Sequence, residues 1–305
     1  MQPELRNRLI FGVMFAAVAI GAIAHDLMRA SHLGALGVTL IIGAMGAREY
    51  ARMARTLAPQ ARLAPVLATS LALAVEGAMH GGGTWFGVDL PQPFPDQPLT
   101  AMILGLGFAW TVLHQMGSLG TRDFFANVGA TVLGIIYLGL PLNLLLRLAC
   151  LSADPGYFPT EVDPALRGSQ LLLVFVAAVK MGDISAYFGG RALGRHKMCP
   201  GISPGKTWEG FACSFFGSIG GTYLFCWLIE RAAGVGPFNG WWQPAVWGLV
   251  LGPLGAMGDL VESCMKRAAA VKDSGGSMPG FGGVLDLFDA LVLAVPVAYL
   301  LALAM

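Results

Sequence analysis

Nine apolar runs of about 16 to 22 residues, each closed by charged residues or by Gly/Pro clusters, constrain this chain more than any other feature. A helix needs roughly 20 such residues to cross a bilayer. The runs fall near 9–25, 32–47, 63–79, 99–117, 124–146, 168–189, 207–229, 243–258 and 284–304. They predict an all-α, polytopic integral membrane protein of about nine transmembrane helices, a single membrane domain over 1–305. Composition agrees, because 55% hydrophobic and 12% charged residues exclude an ordinary soluble enzyme. Forty-two glycines and 18 prolines suit helices that pack closely through small residues and break where neighbouring protein re-satisfies the backbone. The same glycine-rich helix faces are compatible with a homodimer.

Lys and Arg are retained in cytoplasmic loops, which orients the spans. With the N-terminus inside, 14 of the 19 basic residues fall in inside segments, including Arg6, Arg8, Arg48, Arg52, Arg55, Arg122, Arg191, Arg195, Lys197, Lys206 and Lys272. Four fall outside, and Lys180 lies within the sixth span. The prediction is therefore a cytoplasmic N-terminus and, for an odd number of spans, an outside C-terminus. The first run, led by Arg6 and Arg8 and ending Ala22-Ile23-Ala24, also has the form of a cleavable signal. Many later spans favour its retention as a helix. The absence of an organelle-targeting tract suits a bacterial inner membrane. A net charge of +1 without a basic patch interleaved with aromatics predicts no nucleic-acid partner, leaving membrane lipid and small molecules. Five scattered cysteines without a CxxC pair indicate neither a disulfide framework nor a zinc site.

Ionisable groups concentrate in two stretches beside glycines. Residues 1–123 carry N-terminal helices of mainly structural role, and 168–290 carry the catalytic helices and cytoplasmic loops. In the first stretch Lys180 and Asp183 share a helix face and sit at a depth where ionisable groups usually meet a wet cavity or a partner. A structural ion pair and a functional pair are both open readings. Arg191, Lys197 and Lys206 follow among glycines, offering cations and backbone N–H groups to phosphates or forming a solvated positive-inside loop. The segment Gly201-Ile202-Ser203-Pro204-Gly205-Lys206-Thr207 misses a Walker A loop by one residue, since Pro200 stands where the first glycine belongs. Pro204-Gly205 predicts a type II turn leading into a helix whose N-terminus, with Ser203, Gly205, Lys206 and Thr207, forms a phosphate cradle of another design.

The second stretch holds Asp259, Glu262, Lys272, Asp273, Ser274, Asp286 and Asp289. Asp259/Glu262 and Asp286/Asp289 are each at i, i+3 spacing, so two acidic helix starts facing each other would suit Mg²⁺ and nucleotide phosphates. Helix capping by Asp259 and Asp286 is the structural alternative. The intervening loop, with Gly280, Gly282 and Gly283, permits close approach by a ligand.

The motifs GDISAYFGGRALGRHKMCPGISPGKTWEG at 182–210 and GDLVESCMKRAAAVKDSGGSMPGFGGVLDLFDA at 258–290 resemble those of phosphatidate cytidylyltransferases, also called CDP-diacylglycerol synthases. They cover about a fifth of the chain. The usual family form has His where Phe281 stands and Arg where Leu287 stands, so no role of those two side chains carries over. The resemblance implies that CTP and phosphatidate give CDP-diacylglycerol and pyrophosphate with Mg²⁺, and leaves room for a second cation. It implies that Asp259 and Asp286 ligate the metal with Asp289 close by. Lys206 and the Ser203–Thr207 backbone would hold the triphosphate, Lys180 or Lys272 would contact phosphate near the lipid boundary, and Asp183 would position a cation or water. The rival readings are a CTP-dependent polyprenol or phytol kinase, a cytidylyltransferase for another lipid phosphate, and a transporter lined by the same charges.

Overall fold

A computed structural model of the chain describes Gly21 and residues 33–79, 83–85, 88–90, 98–151, 166–276 and 282–305. The first expected span at 9–25, apart from Gly21, lies outside the described residues, as do Arg6, Arg8 and the Ala22-Ile23-Ala24 segment. The described chain is predominantly α-helical, and six of its helices are long and apolar enough to cross a membrane: Leu99–Ser118, Phe124–Ala149, Leu166–Leu193, Trp208–Ala233, Gln243–Ala268 and Leu285–Ala304. They correspond to the fourth to ninth expected spans. The second forms a helix that is not among the six, and the third forms the shorter apolar helix Leu63–Met79. The residues form two compact units.

One unit comprises residues up to Arg147 together with Met265–Phe288. It contains α1 (Leu33–Leu57), α2 (Leu63–Met79), the short antiparallel pair β1 (Gly83–Trp85) and β2 (Val88–Leu90), α3 (Pro98–Leu119), α4 (Phe124–Gly134), and α5 (Leu140–Ala149) as far as Arg147. A π turn at Ile135–Gly139 joins α4 to α5. Gly134 lies against the Tyr50 ring, and the Tyr50 hydroxyl donates to the Ala130 carbonyl at 2.7 Å. Gly77 lies against the Asn143 backbone, so α2 and α5 touch main chain to main chain. Beside this contact Glu76 is buried and pairs with Arg147 at 2.5 Å. Thr100 Oγ1 donates to the same carboxylate at 3.1 Å and accepts from Arg147 at 2.8 Å, while Asn143 Nδ2 donates to it and to the Leu73 carbonyl. A buried charge is tolerable because opposite charge and donors surround it.

The other unit comprises Leu148–Cys264 and Asp289–Met305. It contains α6 (Leu166–Leu193), the antiparallel pair β3 (Lys197–Cys199) and β4 (Ser203–Thr207), α7 (Trp208–Ala233), α8 (Gln243–Ala268) to Cys264, and α9 (Leu285–Ala304) from Asp289. α6 and α7 pack along much of their length. Small residues permit it: Gly217 abuts Ser185, Gly189 abuts Cys213, and a Cβ at Gly210 would stand 2.6 Å from the Ala186 carbonyl. Such glycine faces let helices meet closely without a hydrophobic driving force between them. Ser218 seals the next contact by donating to the Gly248 carbonyl of α8 at 2.5 Å.

Two local expectations change. Asp259 and Glu262 do not begin a helix, because α8 runs on to Ala268 and places both in its C-terminal half. The residues after Gly258 are good helix formers, so nothing ends the helix there. The turn before α7 falls at Pro200–Ile202, closed by Ile202 N–H to the Cys199 carbonyl at 3.1 Å, and Pro204-Gly205 lies in β4. A two-stranded edge tolerates the missing proline donor.

Candidate active site

Within the second unit, α6 presents Lys180 and Asp183 one helical turn apart, Nζ to Oδ2 at 3.9 Å. β4 presents Lys206, whose Nζ donates to the Ala256 carbonyl at 2.6 Å and pairs with Asp259 Oδ2 at 2.9 Å. Asp259 and Glu262 project from α8 and Asp289 from α9, with one carboxylate oxygen from each within 4.8 Å of the others. Glu262 is fully buried and Asp289 is 6% exposed. Asp289 Oδ1 accepts from Ala290 N–H at 2.6 Å. Gly258 lies against the Asp289 carbonyl, leaving no space for a Cβ and letting α8 and α9 meet there. Three carboxylates gathered this closely repel one another unless cations or protons sit among them. Hard oxygen donors of this kind fit a divalent cation such as Mg²⁺. Asp183 lies within electrostatic range of Asp259 and Lys206 as well as Lys180, so acids and cations alternate through the site.

The hairpin that carries Lys206 is itself anchored. Thr207 Oγ1 accepts from Gly210 N–H at 3.1 Å as the N-cap of α7. The Glu209 carboxylate accepts from the Arg195 and His196 N–H groups and contacts His196 Nδ1 at 2.6 Å. Gly205 and Lys197 are exposed and Ser203 is half-buried on the hairpin, while Arg191 is exposed in the last turn of α6, 3.5 Å from the Tyr187 hydroxyl.

Within the first unit, Asp286 lies in the first turn of α9 and ties Ser274 to Gly283. Its Oδ1 accepts from Lys266 Nζ at 2.6 Å; its Oδ2 accepts from Ser274 Oγ at 2.8 Å, Gly283 N–H at 2.7 Å and Ser274 N–H at 3.3 Å. Gly282 has φ 96°, and a Cβ there would stand 2.6 Å from Asp286 Oδ2, so both backbone angle and space call for glycine. Lys272 and Asp273 are exposed, and Ser274 is buried. Gly280 and Phe281 lie outside the described residues.

Of the two acidic pairs, the cluster takes both members of the first and Asp289 of the second, while Asp286 is held by Lys266 and the loop. Glu262, paired with Asp259 by its spacing but not among the metal ligands the resemblance implies, belongs to the cluster. Glu49 was missed altogether. It is 4% exposed and accepts from Val284 N–H and Leu285 N–H, each at 3.0 Å, and from Ser274 Oγ at 3.3 Å. In sequence it reads as one acid among the arginines at the end of an apolar run, so only its i, i+3 relation to Arg52 is visible there.

Carboxylates beside lysines on apolar helices are suited to phosphate chemistry within a membrane protein, and comparison with known proteins gives the class. A model described as the cytidylyltransferase family matches residues 6–305, which makes the chain a nucleotidyltransferase. It is 33% identical over 273 residues to the phosphatidate cytidylyltransferase of Chlamydia pneumoniae, covering 88% of this chain and 82% of that one. It is 32% identical over 262 residues to the enzyme of the same name from Synechocystis sp., covering 84% and 83%. A Brucella abortus enzyme of that name is 40% identical over 133 residues, 44% of this chain and 47% of the relative. The chain belongs to the phosphatidate cytidylyltransferase, or CDP-diacylglycerol synthase, family. With its apolar helices and bacterial relatives, it is an integral bacterial membrane protein.

Proposed function

We propose that this chain transfers the cytidylyl group of CTP to phosphatidate, giving CDP-diacylglycerol and pyrophosphate for phospholipid synthesis. The observation that carries the reading is the meeting of Asp259, Glu262 and Asp289 beside the Lys206–Asp259 pair. The cluster's donor set fits Mg²⁺, which Asp259, Glu262 and Asp289 would hold. When bound, the metal supplies charge neutralisation at the phosphate oxygens and at the departing pyrophosphate. The family resemblance assigns Asp286 to the metal as well, and its substitution tests that assignment.

A phosphatidate oxygen attacks the α-phosphorus of CTP, a P–O bond forms, and the bond to the pyrophosphate oxygen breaks. The nucleophile is already ionised near pH 7, so no general base is required. The chain's task is to hold two anions together in line. Lys206 and the Ser203–Thr207 backbone bind the triphosphate, with Arg191 and Lys197 drawing anions toward the hairpin. Lys180 contacts phosphate near the lipid boundary, and Asp183 orients Lys180. Lys272 and Asp273, both exposed, with Gly282 and Gly283, offer a second contact for phosphate, while the buried Ser274 holds Asp286. We place these groups on the cytoplasmic side, in a nine-span chain with its N-terminus inside, on the strength of the Lys/Arg partition.

The test is a product assay on purified protein in detergent with CTP, phosphatidate and Mg²⁺, run beside Asp286→Asn. CDP-diacylglycerol and pyrophosphate in equal amounts, lost in the variant, are expected. CDP in place of pyrophosphate would instead mark a lipid kinase, and CTP-independent ion flux a transporter.

A further inference from the structure

We infer that Glu49 of α1 is a positioning residue for the reaction, holding Ser274 and the start of α9 in place through one buried carboxylate. The inference rests on the cytidylyl-transfer reading for its kinetic consequence and on geometry for its physical basis. Oε1 accepts from Val284 N–H, and Oε2 accepts from Leu285 N–H and from Ser274 Oγ. The Ser274 hydroxyl also lies 2.8 Å from Asp286 Oδ2, so it joins the two carboxylates. The surroundings are shaped to this acid. Gly283 abuts both Ser274 Oγ and Glu49 Oε2, and a Cβ at Gly275 would meet Glu49 Oε1 at 2.7 Å. Gly46, one turn earlier on α1, admits the Leu285 side chain, 3.3 Å from the place of a Cβ. The same α1 face thus grips Leu285 by backbone and side chain.

A carboxylate is required here because Val284 N–H and Leu285 N–H each face a different one of its oxygens, and both can only donate. Glutamine offers one acceptor oxygen and turns an NH₂ toward the other amide, leaving one N–H without a partner. The first N–H groups of a helix have no intrahelical acceptor, so Glu49 does for α9 what a local cap does elsewhere, from 235 residues away in sequence. Asp286 sits directly after Leu285, and Asp289 follows one turn later on the same helix. Loosening the helix start therefore shifts side chains that the proposed reaction needs to within a fraction of an ångström.

The test is Glu49→Gln and Ser274→Ala, singly and combined, in the full chain in detergent. Amide exchange at Val284 and Leu285 and steady-state cytidylyl transfer are read together. Positioning predicts faster exchange at those two amides in Glu49→Gln with unchanged protection in α6 and α7. It predicts a loss in kcat of about 10²-fold, a KM for CTP within about threefold, and a double variant little worse than Glu49→Gln alone. A kcat near wild type, or losses that multiply in the double variant, would overturn it. Should Glu49→Gln not accumulate, Ser274→Ala decides, since the relay requires its kcat to fall with KM held. Exchange needs no turnover. A wild type that forms no pyrophosphate therefore sinks the reaction assignment, while protected Val284 and Leu285 amides in that protein still sustain the positioning role and rapidly exchanging ones overturn it.

Discussion

Asp286 and Asp289 show how little separates two fates at the residue scale. Three residues along an α-helix turn a side chain by about 60° from its predecessor. That offset sends Asp289 to Asp259 and Glu262, and Asp286 to Lys266 and the loop amides. Asp289→Asn is expected to abolish turnover at any Mg²⁺ concentration, read by pyrophosphate release. Lys206→Met removes the cation paired with Asp259 and should raise KM for CTP at least tenfold, about 1.4 kcal/mol of binding, with the fold intact by circular dichroism. Unimpaired CTP use in that variant would remove Lys206 from the site. Thr207, read from sequence as a phosphate contact, is seen as the N-cap of α7, a role its hydroxyl fills beside any other. Thr207→Ala should cost about 1 kcal/mol of stability, measured as a lower thermal midpoint in detergent. Residue types and their spacing were legible in the sequence at this scale. Their partners were not, because a hydrogen bond to a residue far along the chain leaves no periodicity to read.

At the scale of elements, glycine decides where helices meet. The α6–α7 contact has Gly217 against Ser185 and Gly189 against Cys213, so a branched side chain at either position must push the helices apart. Gly217→Val is expected to prevent accumulation of folded protein, or to lower its thermal midpoint sharply, whereas the open position Gly220 should accept alanine with little change. A Gly217→Val protein with wild-type stability would mean the helices do not pack this way. Around α2 and α5, the Glu76–Arg147 pair makes a second test. Arg147→Met strands a buried carboxylate and should cost about 3–5 kcal/mol. Adding Glu76→Gln should recover part of that loss, followed by thermal inactivation. The sequence marked the small residues of these helices as a group. It did not say which glycine meets which neighbour, because helix rotation is settled by mutual fit and not by propensity.

At the scale of the whole molecule, the Lys/Arg partition predicts that the hairpin at β3–β4 faces the cytoplasm and the loop after α7 the opposite side of the membrane. With the five native cysteines replaced, Lys197→Cys should react with an impermeant maleimide only after cells are permeabilised, and Asn239→Cys in intact cells. The reverse pattern would invert the topology. By itself the sequence determined that this is a polytopic helical membrane protein, where its described apolar helices begin to within a few residues, and which two stretches carry the family's motifs. These follow from apolar transfer energies that add up locally along the chain and from short strings of residues. The tertiary structure alone decided that Asp259, Glu262 and Asp289 share a cluster, that Asp286 is held by Lys266 and the loop, and that Glu49 caps α9. Each of these depends on helices distant in sequence approaching closely enough for one oxygen to reach another group, and that approach is set by side-chain packing over whole helix faces.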